Sequence, residues 1–370
     1  MKKISWISCD GFIDTDLPII VRLQHYYRIR FILTVSYNNS IDYLQMINNE
    51  LGEDSKVEVV YVKQKDRLKS LKNIPTYLKI VNSAKSFNAD IYYISFQGMP
   101  YALPLYKLLL PISKCVVPCH NVSTPAGATN EKLAKWTTKW WIGSFKNINV
   151  FSLSQKQLLE SSYSNKNILY TPFYLKDYGS LKKNLDKMHS KPICFLAFGN
   201  IVRYKRIDLL IEAANILVER GVKGFVVRVA GNCKNWEDYE RLIKYPEQFQ
   251  LMIRRIPNED IVDLFEDAHY FVLPYQDIAQ SGSITVAFNY NVPTIVSDIP
   301  QFHEFVESGK TGLTFESRNA TSLANVMQYC IEQHDNMYEA LCKNQRVFIH
   351  EHYTEEIITK NYLDYFGKIV

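Results

Sequence analysis

CFLAFGNIVRYKRIDLLIEAANILVERGVKGFVVRVAG, residues 194–231, is the stretch that decides the fold. It opens with an apolar run, CFLAF, that stops at Gly199–Asn200. IDLLIEAANILVERG (207–221) then repeats apolar residues at helical spacing and ends at Gly221, where a helix finds its left-handed cap. FVVRVAG (225–231) is a second apolar run ending in glycine. Both runs are continuous rather than alternating, as expected of strands buried on two faces. Strand, helix and strand in this order make a parallel crossover unit.

Working outward, the same rhythm continues in both directions. Towards the carboxyl end come a helix around 235–244, a strand LMIRRI (251–256) and PNEDIVDLFEDA (257–268), a helix opened by proline and acids. YFVLPY (270–275), a helix from Ser283, PTIVSD (293–298), TGLTF (311–315) and terminal helices including 354–366 follow. In the first half, strands are expected at 4–9, 31–37, 57–62, 91–95, 115–119, 149–153 and 168–171, with helices such as 76–87 and 130–145. YLKDYGSLKKNLDKMHSK (174–191) is polar, lacks a strand and reads as a linker. The expectation is an α/β chain of two Rossmann-like domains, 1–175 and 176–352, with the last helix, 353–370, packing back on the first. A chain of 370 residues has room for two such cores.

Composition excludes several classes. Fourteen Gly and fourteen Pro are too few for collagen or a low-complexity chain. No apolar run approaches the ~20 residues that cross a bilayer. The amino terminus, MKKISWISCDGFIDTD, reaches Asp10, Asp14 and Asp16 before a long apolar core develops, and so reads as a first strand rather than a secretion signal. Seven scattered cysteines make no disulfide framework, which points to a reducing cytosol.

The net charge of +5 is divided unevenly. Residues 1–180 hold 22 Lys and Arg against 13 acids, whereas 181–370 hold 21 against 25. Two stretches concentrate the excess. Lys63 to Lys85 has seven basic residues and only Asp66. EKLAKWTTKWWIGSFK (131–146) interleaves Lys132, Lys135, Lys139 and Lys146 with Trp136, Trp140, Trp141 and Phe145. One reading is an anionic membrane surface, where lysines meet headgroups and indoles settle at the interface. The other is an ordinary amphipathic helix whose aromatic residues face the core. Nucleic acid ranks third, because no RNA- or DNA-binding motif accompanies the patch.

Chemistry in such sheets gathers at the carboxyl ends of strands. Three segments qualify. In FGNIVRYKR (198–206), Arg203, Lys205 and Arg206 cluster at a helix start and suit a phosphate. In YQDIAQSGSITVAF (275–288), Ser281-Gly282-Ser283 opens a helix, either as a simple N-cap or as an anion cradle. In CVVPCHNV (115–122), His120 follows a buried strand, as a cleft residue or a structural one. Cys115 and Cys119 lack a second ligand pair, so zinc is not expected. GxxxxGK[ST], HExxH and GxSxG are absent.

Together these segments resemble the retaining GT-B glycosyltransferases of family 4, most strongly over 194–316. FGNIVRYKRIDLLIEAA is similar to the family's strand–glycine–basic loop–helix. IPNEDIVDLFEDAHYFVLPY, headed by Ile256, is similar to its nucleotide-edge helix and the next strand. QSGSITVAFNYNVPTIVSDIPQFHEFVESGKTGLTF is similar to its donor-phosphate helix and closing turn. The resemblance implies that Lys205 binds the donor diphosphate beside Gly199. Asn200 stands where the family has arginine, so Arg203 or Arg206 would supply the second charge. Ser281, Gly282 and Ser283 match the backbone that receives the distal phosphate, and His120 matches the histidine facing the transferred sugar, with Asn121 in place of its usual Asp. Ile278 and Val286 occupy the positions of two family glutamates. Asp277 or Glu304 would then substitute in part.

The resemblance implies metal-independent transfer of a sugar from a nucleotide-sugar to a glycan or lipid-linked acceptor, in bacterial surface polysaccharide biosynthesis. Asp14-Thr15-Asp16 spells DxD but falls in the first βα loop without the apolar run expected before it. The cysteines and the basic–aromatic stretches lead us to expect a cytoplasmic protein with peripheral attachment to the inner membrane face. A sugar-nucleotide 2-epimerase of the same fold and a degenerate partner subunit are the alternatives; the epimerase would need acid/base carboxylates at Ile278 and Val286.

Overall fold

The computed structural model describes residues 1–123, 131–183 and 186–370. They form two compact units: 1–123, 131–174 and 355–370 in the first, and 175–183 and 186–354 in the second. The loop before the expected helix at 130, and residues 184–185 of the expected linker, lie outside the described residues.

The first unit alternates β1 (Lys3–Cys9), α1 (Ile13–Leu23), β2 (Arg28–Val35), α2 (Tyr43–Leu51), β3 (Val57–Lys63), α3 (Ile74–Ser86) and β4 (Ile91–Ile94). It continues through α4 (Leu103–Leu109), β5 (Cys115–Pro118), α5 (Glu131–Ser144), β6 (Asn147–Val150), α6 (Leu153–Ser162) and β7 (Asn167–Tyr170). The seven strands are parallel in the order β3-β2-β1-β4-β5-β6-β7. One face is covered by α3, α4, α5 and α6 through Tyr77, Ile80, Tyr106, Trp141, Phe145 and Leu159. The opposite face is covered by α1 and α2, which bring Leu17, Ile20 and Ile47.

The second unit begins with β8 (Ile193–Phe198), α7 (Ile207–Glu219), β9 (Phe225–Ala230), a single turn α8 (Glu237–Glu240), β10 (Phe249–Met252) and α9 (Asn258–Asp267). Then come β11 (Tyr270–Leu273), α10 (Gly282–Asn289), β12 (Thr294–Ser297), β13 (Gly312–Phe315), α11 (Ala320–Glu332) and α12 (His334–His352). Its six strands are also parallel, in the order β10-β9-β8-β11-β12-β13. The strand order therefore reverses between β8 and β11, and the crevice outside their carboxyl ends is where such a sheet takes a ligand.

The last helix, α13 (Glu355–Gly367), belongs to the first unit. Tyr365 donates its hydroxyl to the Asn167 carbonyl at 2.7 Å, Tyr362 and Phe366 are buried against Tyr93, and Glu355 pairs with Arg22.

Five local expectations are corrected. The strand expected at 149–153 is β6, because Asn147 and Asn149 are admitted to the sheet core by satisfied amides. Asn147 donates to the Ser113 and Cys115 carbonyls, and Asn149 to Val150 and Leu169. The strand expected at 251–256 stops at Met252, with Arg254 and Arg255 exposed beyond it, and the helix expected at 235–244 shrinks to α8. Asp14 and Asp16 lie in the first turn of α1, not in a loop. The segment 174–191 lacks helix and strand but is no free spacer. The Tyr178 amide donates to the Tyr290 hydroxyl at 2.8 Å, Lys182 and Lys183 pair with Asp263 and Asp267, and Lys187 donates to the Phe265 carbonyl.

Asp16 is buried at the end of β1, accepting from Ser8 at 2.5 Å and Ser95 at 3.0 Å. Burial outweighs these bonds and raises its pKa to about 6. Because the folded form holds its proton more tightly than the unfolded chain, this group's contribution is full below pH ~4 and fades as pH rises through ~6. Asp16→Asn is therefore expected to stabilise the protein at pH 7.5 relative to its effect at pH 4, by up to about 3 kcal/mol. Denaturant melts of both proteins across this pH range check it; equal differences at the two ends would refute it.

Candidate functional site

The reversal point of the second sheet is built by two glycines. Gly199 leaves β8 with φ +108° and Gly231 leaves β9 with φ +152°, both in the region that suits glycine. A Cβ on Gly231 would stand 2.0 Å from the Gly199 carbonyl oxygen, so the two turns can nest only without side chains. A Cβ on Gly199 would lie 3.0 Å from Lys205 Nζ and 3.7 Å from Ser283 Oγ. Gly199 thus stands between the basic turn after β8 and the helix after β11.

Lys205 ends a short turn, Arg203–Lys205, and its ammonium lies 5.3 Å from the centre of the Tyr275 ring. Burial lowers its pKa. Ser281 caps α10 by accepting from the Ile284 amide at 3.3 Å. With the hydroxyl so used, the first-turn amides of Gly282 and Ser283 are the groups available for an anion. Around this helix start opens a pocket of about 420 Å³, within the range of ligand sites. Its polar lining comes from Lys205, Asn200, Ser281, Ser283, Gln280 and Lys176.

Lys176 is the residue that sequence reading missed. It comes from the segment taken as a linker, and a Cβ on Gly282 would be 3.8 Å from its Nζ. Among the described residues, no carboxylate forms an ion pair with Lys176 or Lys205. Two ammonium groups and a helix amino end therefore surround one pocket with no counter-charge among them, a field that suits a phosphate or diphosphate.

Of the expected site residues, Gly199, Asn200, Lys205, Ser281, Gly282 and Ser283 meet at this pocket. Others do not. Arg203 is exposed and off the lining. Arg206 is held in the left-handed region by its bidentate pair with Asp208, at 2.8 to 3.1 Å. Its charge is spent within its own turn. Ile256 packs on the core rather than the pocket. Asp277 accepts from Gln301 at 3.3 Å, and neither it nor Glu304 lines the pocket. The positions of the two missing carboxylates are lined by Ile278 and Val286, both buried.

His120 belongs to the first unit, just past β5. It is stacked between Phe12, at 4.6 Å, and Phe151, at 4.8 Å. Burial depresses its pKa to about 4, so the ring is neutral at physiological pH. It suits hydrogen bonding rather than charge neutralisation. Among the described residues, no group of three or more His, Cys, Asp or Glu is placed to hold a metal ion.

Residues 182–348 match the sequence model of the family glycosyl transferases group 1. That segment, which contains Gly199, Lys205 and the start of α10, belongs to the group 1 glycosyl transferases. No curated protein matches the chain. Solved structures agree on the fold. A glycosyltransferase from Rickettsia africae ESF-5 is 14% identical with a TM-score of 0.74, covering 100% of this chain and 98% of the other. Sucrose-phosphate synthase from Thermosynechococcus elongatus is 13% identical with a TM-score of 0.77, covering 100% and 99%. Anabaena Alr3699/HepE, solved with UDP and glucose, is 12% identical with a TM-score of 0.73, covering both chains fully. The fold is that of the GT-B glycosyltransferases.

If the pocket takes a diphosphate between the two lysines, Lys176→Ala and Lys205→Ala each weaken UDP binding by about tenfold or more, as expected for a charge-assisted contact. Arg203→Ala leaves it within about twofold, since an exposed side chain off the lining is worth little. Titration calorimetry with UDP on the four proteins distinguishes these outcomes.

Proposed function

We propose that this group 1 glycosyl transferase moves a sugar from a nucleotide-sugar to a glycan or lipid-linked acceptor with retention at the anomeric carbon. The observation that carries the proposal is the pocket at the β8–β11 reversal, with Lys176, Lys205 and the amino end of α10 around it. A nucleoside diphosphate leaving group gains negative charge as the glycosidic bond breaks. Fixed cations and amide dipoles at that position stabilise the transition state more than the bound donor. Lys205 and Lys176 serve this role, Lys176 in place of the arginine missing at Asn200. Gly199 and Gly231 let the backbone close on the phosphates.

The proton of the attacking hydroxyl passes to the departing phosphate on the same face. His120, neutral at working pH, orients sugar or acceptor by hydrogen bonding. The setting we propose is the assembly of bacterial surface polysaccharide in the cytoplasm, without a metal cofactor. The solved relatives include S. aureus TarM in complex with alpha-GlcNAc-glycerol and UDP, and Anabaena Alr3699/HepE with UDP-glucose. They support a nucleotide-sugar as the donor class.

The absence of carboxylates at Ile278 and Val286 favours transfer over epimerisation, which needs an acid and a base at the sugar. It also makes a non-catalytic partner subunit the sharpest rival. Thermal shift against a panel of nucleotide-sugars selects the donor, since a ligand at 100 times its Kd adds about 2.7 kcal/mol. With that donor, wild type releases nucleoside diphosphate in the presence of acceptor, and NMR of the product shows the donor's anomeric configuration kept. Lys205→Ala lowers kcat by about 10²–10³. His120→Ala lowers turnover with nucleotide affinity unchanged. Donor binding without turnover, across acceptors, would favour the partner-subunit reading instead.

A further inference from the structure

The donor pocket is cationic at one end and apolar beside it. Lys176, Lys205 and the first amides of α10 mark the anion end. Val286 follows Gly282 by four residues, so it lines the same face of α10 one turn further in, about 6 Å along the helix axis. Ile278 approaches from the turn ahead of the helix, and both side chains are buried, Val286 at 1% and Ile278 at 5% exposure. Both belong to the hydrophobic cluster that includes Leu273, Ile284 and Phe302, and close packing holds them in place.

A group bonded to a phosphate at the amino end of α10 lies within reach of this apolar floor. A nucleotide-sugar has two such groups. The reacting carbon of the sugar has to stay open to an acceptor, so the group enclosed by the second unit is the nucleoside. Its ribose, joined to the diphosphate by an ester, is the part that meets Val286 and Ile278. A ribose carries a vicinal diol, which a carboxylate reads best because it accepts two charge-assisted bonds.

Among the described residues, those lining the pocket include no carboxylate. Two aspartates that adjoin lining residues in sequence are off the lining and engaged elsewhere. Asp277 accepts from Gln301 at 3.3 Å, and Asp177 from the Gly179 amide at 2.9 Å. The serine hydroxyls serve the frame of the pocket itself: Ser281 caps α10, and the Ser283 hydroxyl is bonded to the Tyr275 phenol. Asn200 and Gln280 contribute neutral amides, which hold a hydroxyl less strongly than a carboxylate does.

We infer that the pocket does not read the 2′-hydroxyl of the nucleoside, and that it takes 2′-deoxyribonucleoside diphosphate donors at least as tightly as ribonucleoside ones. The affinity comes from the diphosphate, which both classes share. A hydroxyl against Val286 loses water and gains no partner, whereas a methylene there loses nothing. A site that bonds a hydroxyl strongly rejects the analogue lacking it, and an apolar floor has no such means. This assignment rests on the pocket being the donor site, and narrows the class of nucleotide held there.

The test is titration calorimetry with UDP and dUDP, which differ only by the 2′-hydroxyl. Wild type should bind dUDP with a Kd no more than about twofold above that for UDP, or below it. Val286→Glu puts an acceptor against the ribose and should shift the ratio of the two Kd values about tenfold or more in favour of UDP. A buried carboxylate can disturb folding, so Ile278→Gln is the second variant; it should shift the ratio the same way by about threefold. Taking the ratio cancels whatever either substitution does to the shared diphosphate contact. Circular dichroism checks that each variant folds; if neither does, the wild-type ratio decides. Tighter binding of UDP than dUDP by wild type beyond twofold, or an unchanged ratio in the folded variants, overturns the inference and leaves the donor site standing. Failure of wild type to bind either nucleotide overturns both.

Discussion

The contact between the Gly199 carbonyl and the bare Cα of Gly231 is the constraint on which the donor-side architecture rests. A single methyl group there would collide with backbone rather than with a side chain that could move. Because the two turns nest, the chain leaving β8 stays low over the sheet. Lys205 can then fold back beneath it, and α10 can present its amino end to the same space. Parallel pairing of β8 with both β9 and β11 supplies the rigid floor. The pocket follows from this geometry rather than from any single binding side chain.

A second consequence is electrostatic. Two ammonium groups near a helix amino end repel one another and the dipole, and desolvation already disfavours the charge on Lys205. A protein normally relieves such a cluster with a carboxylate. Here the two positions from which carboxylates would face the pocket hold isoleucine and valine, and the aspartate near Arg206 neutralises that arginine instead. An anion from solution would relieve this repulsion, which is the basis for proposing a diphosphate here.

The first unit solves a different problem with the same fold. Several of its buried polar groups are satisfied internally, Asp16 by Ser8 and Ser95, and the Asn147 and Asn149 amides by backbone carbonyls. Its exposed apolar residues lie on both sides of the sheet, Leu71 and Trp136 on one and Leu44 and Met46 of α2 on the other. His120 is held between phenylalanine rings just past β5 and is neutral.

Apolar runs and their spacing were enough to read two parallel α/β units, the turn after β8 and the capped start of α10 from the sequence. Those features are local: a glycine ends a strand, a serine caps a helix, and neither depends on distant residues. Lys205 was legible for the same reason. Lys176 was not, because it sits in a polar stretch with no period, and only the path of that stretch across the second unit carries it to Gly282. Arg206 was misread because its partner, Asp208, becomes a partner only through a left-handed turn. Trp136 and Trp141 belong to one helix and one motif; which is core and which is surface was decided by where α4 packs. Sequence determines what each segment becomes, since propensity and periodicity act over a few residues. Which charges are spent and which remain for a ligand is set by tertiary structure, because electrostatic pairing acts through space.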